Sequence, residues 1–241
     1  MIEFLLSNYI QLTFTVEIIA ALTGVIYYNK YKTTPVKYFI YFLVFISLAD
    51  ILGVYSYYVK PNGALGFLIG TKFEKNHWWT NTYWVIGAPL FICFYYRQIL
   101  NTEFFKKVLK YSSYLFFIFS ICFVITNWEA FFHSFFIILN LTGAVLITIS
   151  AVFFFVEILS SEDILVFYKS INFYITAVIF IWWLIITPLT FYDIYFKYEI
   201  GVGHIDKEFM FLRHKIYLFA NIFMYLTYTF AFIWCKPENE L

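Results

Sequence analysis

Two acidic side chains stand in apolar surroundings that should exclude them: Glu17 in the run TFTVEIIAALTG and Asp50 in FISLADILG. An acidic residue at the centre of a membrane helix costs about 2.5 to 3.5 kcal/mol on insertion scales, so it faces a bundle interior or a wet cavity. Two like charges in low dielectric do not both ionise. The chemistry to expect of the pair is therefore a shared proton, held or handed on. At about 1.5 Å per residue, both carboxylates fall about 13 Å below the outer ends of their segments, which predicts that they meet.

Other residues fall in the same outer layer. The same count puts Asn140 at about 9 Å and Asn221 and Pro89 at about 13 Å, with Pro188 in the outer half as well. A proline inside a helix frees a backbone carbonyl and adds a polar group to that layer. One reading is a shallow ligand-binding cavity open to the outside, lined by Glu17, Asp50, Pro89, Asn140, Pro188 and Asn221. The other is that the polar side chains bridge helices and the prolines are simply tolerated. All four histidines, His77, His133, His204 and His214, map to the outer side and invite a pH or metal sensor. No pair among them has the i, i+4 spacing of a helical metal site, so solvated loop histidines are the better expectation and no metal is assigned.

Several chemistries lack a sequence basis. The chain holds no HExxH, no GxSxG and no phosphate-binding glycine loop, so no catalytic residue is assigned, no cofactor is implied and an enzyme is not expected. Lys215 stands only at the mouth of its apolar segment, which leaves a retinal Schiff base at mid-membrane unsupported. Cys93, Cys122 and Cys235 have neither zinc nor disulfide spacing and read as buried thiols. With a net charge of +1 and basic residues scattered over the turns, nothing argues for nucleic acid as a partner.

What must position these residues is a set of long apolar segments. Hydrophobic residues make up 63% of the 241-residue chain and charged residues 13%, which excludes a soluble domain. Seven segments of roughly bilayer thickness run over 8–29, 37–58, 80–100, 111–127, 134–159, 171–193 and 212–235. Runs such as FFIFSICFVIT are apolar on every face, whereas barrel strands alternate, so the segments are helices. The expected fold class is an all-α membrane protein, a bundle of seven transmembrane helices forming a single domain over 1–241. No basic region precedes the first apolar run and no small-residue cleavage site follows it, so it reads as a retained helix.

Lysines and arginines set the orientation. Lys30, Lys32 and Lys37 flank the first turn, and Arg97, Lys106, Lys107 and Lys110 the third. Those turns are expected in the cytoplasm, which places the N-terminus outside and the C-terminus inside, with Arg97 snorkelling at a helix end. The longest turn, YVKPNGALGFLIGTKFEKNHWW, carries Pro61, Gly63, Gly66 and Gly70 against a regular helix. Its apolar stretch is expected to dip into the interface, with Trp78 and Trp79 where the third helix enters the bilayer. Ser160 and Asp163 suggest an N-cap for a short helix before the sixth segment.

YYNKYKTTPVKYFIYFL, VEILSSEDIL and YLTYTFAFIWCKPE resemble an uncharacterised family of small seven-helix membrane proteins of Bacteroidota bacteria, over most of the chain. The family has no established activity and is often encoded beside sensor histidine kinases. The resemblance implies a sensory or accessory role with a cytoplasmic histidine kinase or other membrane partner, and it transfers no site residue. The rival expectation is a small transporter or proton-coupled carrier using Glu17 and Asp50.

Overall fold

A computed structural model describes residues 8–160, 167–199 and 207–237. Every extended element in these residues is a helix, as expected where no water is at hand to satisfy the backbone and each helix must close its own hydrogen bonds. In chain order they are α1 (Tyr9–Ile26), α2 (Tyr28–Tyr31), α3 (Val36–Gly53), α4 (His77–Thr80), α5 (Ala88–Ile99), α6 (Glu103–Thr126), α7 (Trp128–His133), α8 (Ile137–Leu159), α9 (Ile171–Glu199) and α10 (Lys207–Trp234). A 3-10 turn over Val54–Tyr58 extends α3, and a π-helical stretch over Asn81–Gly87 joins α4 to α5 without a break.

Among the described residues six helices are long and apolar enough to cross a membrane: α1, α3 with its 3-10 extension, α6, α8, α9 and α10, with mean hydropathy between 1.6 and 2.3. Ile26 is 74% exposed and Leu115 71%, a surface that suits acyl chains and not water. The chain is an all-α integral membrane protein of multiple spans.

Several helix ends differ from their expected positions. The segment expected from residue 111 begins at Glu103, so Lys106, Lys107 and Lys110 belong to α6 rather than to a turn. Lysine has good helix propensity and its stem can lie along apolar surface, so charge marks the membrane boundary without ending the helix. Glu103 pairs with Lys106 at 2.9 Å within that first turn. Helices α9 and α10 likewise extend beyond their apolar cores, to Glu199 and from Lys207. Ser160 donates to the Val156 carbonyl at 2.8 Å and so closes α8, while Asp163 lies outside the described residues.

The chain divides into two compact units, one of Met1–Val44 with Ala151–Leu241 and one of Phe45–Ser150. In the discontinuous unit, α1 and α10 run parallel. The Tyr9 ring meets His214 edge-on at 5.5 Å, and a Cβ on Gly24 would lie 3.3 Å from Phe232, so the partner numbers rise together. Against α10, α9 is antiparallel: Tyr174 pairs with Phe230, Trp182 with Asn221 and Tyr192 with Phe209. The C-terminal end of α10 is closed by the segment after α1. Fully buried Tyr31 donates to the carbonyls of Cys235 at 2.9 Å and Phe232 at 3.2 Å. Lys30 Nζ reaches those of Ile233 and Phe232 at 3.2 and 3.3 Å. A cation on the last carbonyls of a helix satisfies orphan acceptors and complements the helix dipole. The Lys236 amide, bonded to the Lys169 carbonyl at 3.1 Å, brings the start of α9 to the same end.

In the contiguous unit the stretch 77–99 lies along α8. Asn81 bonds to Ser134 and Phe136, Pro89 abuts Gly143 and Cys93 approaches Ser150 at 3.6 Å, three rungs whose numbers rise together. The two are therefore parallel. Phe116 of α6 packs with Cys93 and Leu146, and Phe123 meets Phe136 at 5.0 Å. Val85, Phe131, Phe132, Phe136 and Leu139 form the apolar core at the α4 end.

Candidate functional site

Around Asp50, four side-chain donors supplied by residues 76–83 converge on the end of α3. The Asn76 amide donates to the Gly53 carbonyl at 3.0 Å, the Trp79 indole to the Ala49 carbonyl at 2.8 Å and the Trp78 indole to the Tyr55 hydroxyl at 2.9 Å. The Tyr83 hydroxyl donates to Oδ1 of Asp50. Carbonyls at a helix C-terminus lose their usual amide partners, and here the α-to-3-10 transition is closed by side chains of the next element. Asp50 is the carboxyl acceptor in this set. It is half-buried, whereas Tyr83 is 8% exposed, with its ring 5.5 Å from that of Trp79. A carboxyl group hydrogen-bonded to a phenol beside an indole can hold or pass a proton, or pair with a cation against an aromatic wall.

The π-helical stretch sets this geometry. It ends just before Ala88 and Pro89, and a proline has no amide to give the carbonyl four residues before it. Shifting to i to i+5 pairing widens the turn, and such bulges recur at functional sites. Within the stretch Asn81 is fully buried. Its amide donates to the carbonyls of Phe131 at 3.2 Å and Ser134 at 2.9 Å, and its Oδ1 accepts the Phe136 amide at 3.1 Å.

Glu17 is 1% exposed on α1, with Ala20, Ala21 and Gly24 on the same buried side. Asn221 is half-buried and its Oδ1 accepts the Trp182 indole at 2.8 Å. Pro188 is exposed on α9, where it shares a shallow surface groove with Thr187, Phe191 and Tyr192. Pro89 is buried against Gly143, and Asn140 is half-buried on α8. Of the six residues expected around one cavity, Glu17, Pro188 and Asn221 belong to the discontinuous unit and Asp50, Pro89 and Asn140 to the contiguous one. Asp50 accepts a hydrogen bond from Tyr83.

The described histidines occupy separate settings. His77 meets Phe135 edge-on at 4.2 Å, His133 is exposed, and Nδ1 of His214 lies 2.8 Å from the Met210 carbonyl. His204 lies outside the described residues. Among the described residues no three His, Cys, Asp or Glu side chains come together.

No protein family, curated protein or solved structure matches this chain. The site rests on its own geometry. Tyr83, Asn81 and Asn76 were not among the residues singled out from the sequence. The signal that pointed toward them is Gly87-Ala88-Pro89, where a proline interrupts an apolar run and loosens the turn before it.

Beside this junction, Lys72 straps the turn of 59–76 to α7 through Glu129 at 2.7 Å. The Lys72 ammonium, by hydrogen bond and charge, holds the Glu129 carboxyl below its ordinary range. A depressed carboxylate contributes fully above its unfolded value and loses that contribution as pH falls through the folded one. Both partners are exposed, so the effect on global stability is small. Acidification and Glu129→Gln should each quicken proteolysis within 59–76 while leaving thermal unfolding nearly unchanged; a turn equally protected in both would show that the strap does not hold it.

Proposed function

We propose that this protein is a seven-span inner-membrane module of receptor-like, sensory or accessory type, without enzymatic activity, in which the Asp50–Tyr83 junction responds to a ligand or proton and a cytoplasmic partner carries the signal. The observation behind it is the junction itself. A half-buried carboxylate is tied by one phenol to a helix turn already out of α-geometry, so a change at Asp50 bears directly on the packing of 77–99. A histidine kinase is the candidate partner by the resemblance to the Bacteroidota family. Co-purification in mild detergent tests this reading, which expects a partner in stoichiometric amount. A chain that purifies alone and moves protons would sink it.

Parity supports the seventh span. Tyr31 and Lys30, just after α1, bind carbonyls at the end of α10, so both ends share one side and the crossings between them must be even in number. Five of the six long helices lie between those points. The stretch 77–99, aligned with α8 over three rungs, supplies the sixth crossing. An outside N-terminus and a cytoplasmic C-terminus then follow from the inner-side lysines. Alkaline phosphatase fused after Glu240 should be inactive, and high activity there would invert the topology.

A proton-coupled carrier is the second reading, favoured by the phenol–carboxylate bond of Asp50 and the burial of Glu17. An amide cannot release a proton, so Asp50→Asn and Glu17→Gln should abolish flux in a carrier. A sensing module should keep its fold and shift its response, since the amides preserve shape and much hydrogen bonding. Substrate uptake driven by a pH gradient in reconstituted vesicles, lost in both variants, would decide for the carrier.

A further inference from the structure

The turn between α3 and α4 carries a surface that the junction does not use. It is bounded by two residues in the left-handed region, Asn62 at φ 72° and Gly70 at φ 76°. It also folds back on the membrane helix. The Leu65 amide donates to the carbonyl of Tyr58, the last residue of a membrane-crossing stretch, at 3.3 Å. Glycine is needed for that approach, since a Cβ on Gly63 would overlap the Tyr58 carbonyl oxygen. Two residues span at most about 7 Å, so Phe67 is held close to the level at which α3 leaves the apolar layer. Phe67 is nevertheless 74% exposed and Ile69 45%, and Phe73 of the same turn, which meets Trp78 and Phe132 edge-on, is itself 46% exposed. Lys60 and Lys75 stand exposed on either side, while Lys72 is engaged by Glu129 and Glu74 accepts the Gly70 amide.

We propose that this turn is an interfacial anchor: Phe67 and Ile69 enter the boundary between headgroups and acyl chains, and Lys60 and Lys75 bind the headgroups of anionic phospholipids. Its depth is fixed by the Tyr58 contact. An apolar tip at that depth gains by entering the lipid, and flanking ammonium groups draw it toward negative headgroups. Aliphatic lysine stems can lie along the apolar layer with the charge at the phosphates.

The test places an environment-sensitive fluorophore on Phe67→Cys in a Cys122→Ser background, since Cys93 and Cys235 are buried. The full-length protein is reconstituted in vesicles of phosphatidylcholine alone or with about one third phosphatidylglycerol, a composition that sets the negative surface potential. The expected result is blue-shifted emission, quenching by a nitroxide on a shallow acyl carbon, and iodide quenching reduced about five-fold from the free dye adduct. Protection should be greater with the anionic lipid, and Lys60→Glu with Lys75→Glu should remove that difference. Iodide quenching as strong as in the free adduct would place the turn in water and overturn the proposal. Shielding from iodide without nitroxide quenching would mean that protein covers it, which also overturns it. Equal protection in both lipids would overturn the assignment of anionic headgroups to the lysines.

Discussion

Asn81→Ala should destabilise the contiguous unit by about 3 kcal/mol, the sum expected when three backbone groups, two buried and one half-buried, lose their partner at about 1 kcal/mol each. The side chain is fully buried and bonds to the carbonyls of Phe131 and Ser134 and the amide of Phe136. These groups lie where α7 ends and α8 begins, so helical neighbours cannot satisfy them. Hydrogen bonds between membrane helices average only about 0.6 kcal/mol because the unfolded chain in lipid also finds partners. A backbone turn has fewer alternatives than a side chain, which is why the larger figure is expected. Unfolding in a graded mixture of mild and denaturing detergent measures it, and a shift below about 1 kcal/mol would show that water had taken the place of the amide. Asn81→Asp should also be damaging, because it keeps the acceptor and loses both donors.

A comparable loss is expected from Gly143→Val. A Cβ on Gly143 would lie 2.7 Å from Cγ of Pro89, closer than real Cβ contacts, and 3.6 Å from the Phe116 ring. A flexible side chain could swing away, but a proline ring is fused to its backbone and can yield only if the helix moves. Small residues at such crossings let membrane helices approach closely, and overfilling a packed site costs about 1 to 3 kcal/mol for the first added groups. Pro89→Ala should partly rescue Gly143→Val by removing the ring that clashes. That non-additivity is the signature to look for, and purely additive losses would mean that the two residues do not meet.

The sequence was informative where a physical signal is local and strong. Long apolar windows, each with at most two charged residues, mark α1, α3, α6, α8, α9 and α10 because burial in lipid demands them. Helix ends were less legible, since hydropathy reports depth and not hydrogen bonding: α6 continues through Lys106, Lys107 and Lys110, whose stems can lie along an apolar layer. Trp78 and Trp79 stand in the first turn of the helical stretch 77–99, yet nothing local says that their indoles donate to Tyr55 and Ala49. Asp50 was conspicuous because a lone charge in an apolar run is rare, whereas its partner Tyr83 is one of 22 tyrosines with nothing to distinguish it. Asn81 had the opposite fault, standing beside a polar turn where an asparagine reads as solvated. Its role depends on residues some fifty positions away, a separation that only the fold can bridge.

The latch that Tyr31 and Lys30 make with the carbonyls of Phe232, Ile233 and Cys235 bears on the order in which the chain can be finished. Residues 45–150 are consecutive, so every partner in the contiguous unit has been synthesised before α10 is made. The other unit joins α1, made before that block, to α10, made after it. From the moment α1 leaves the ribosome until α10 follows, Tyr31 lacks these carbonyls and Gly24 lacks the Phe232 ring that packs against it. An insertion intermediate therefore carries an acidic helix without its parallel partner while the intervening helices are made. Loss of only the final few residues of α10 would leave that intermediate permanently open, a substrate for membrane proteases rather than a slightly shortened protein.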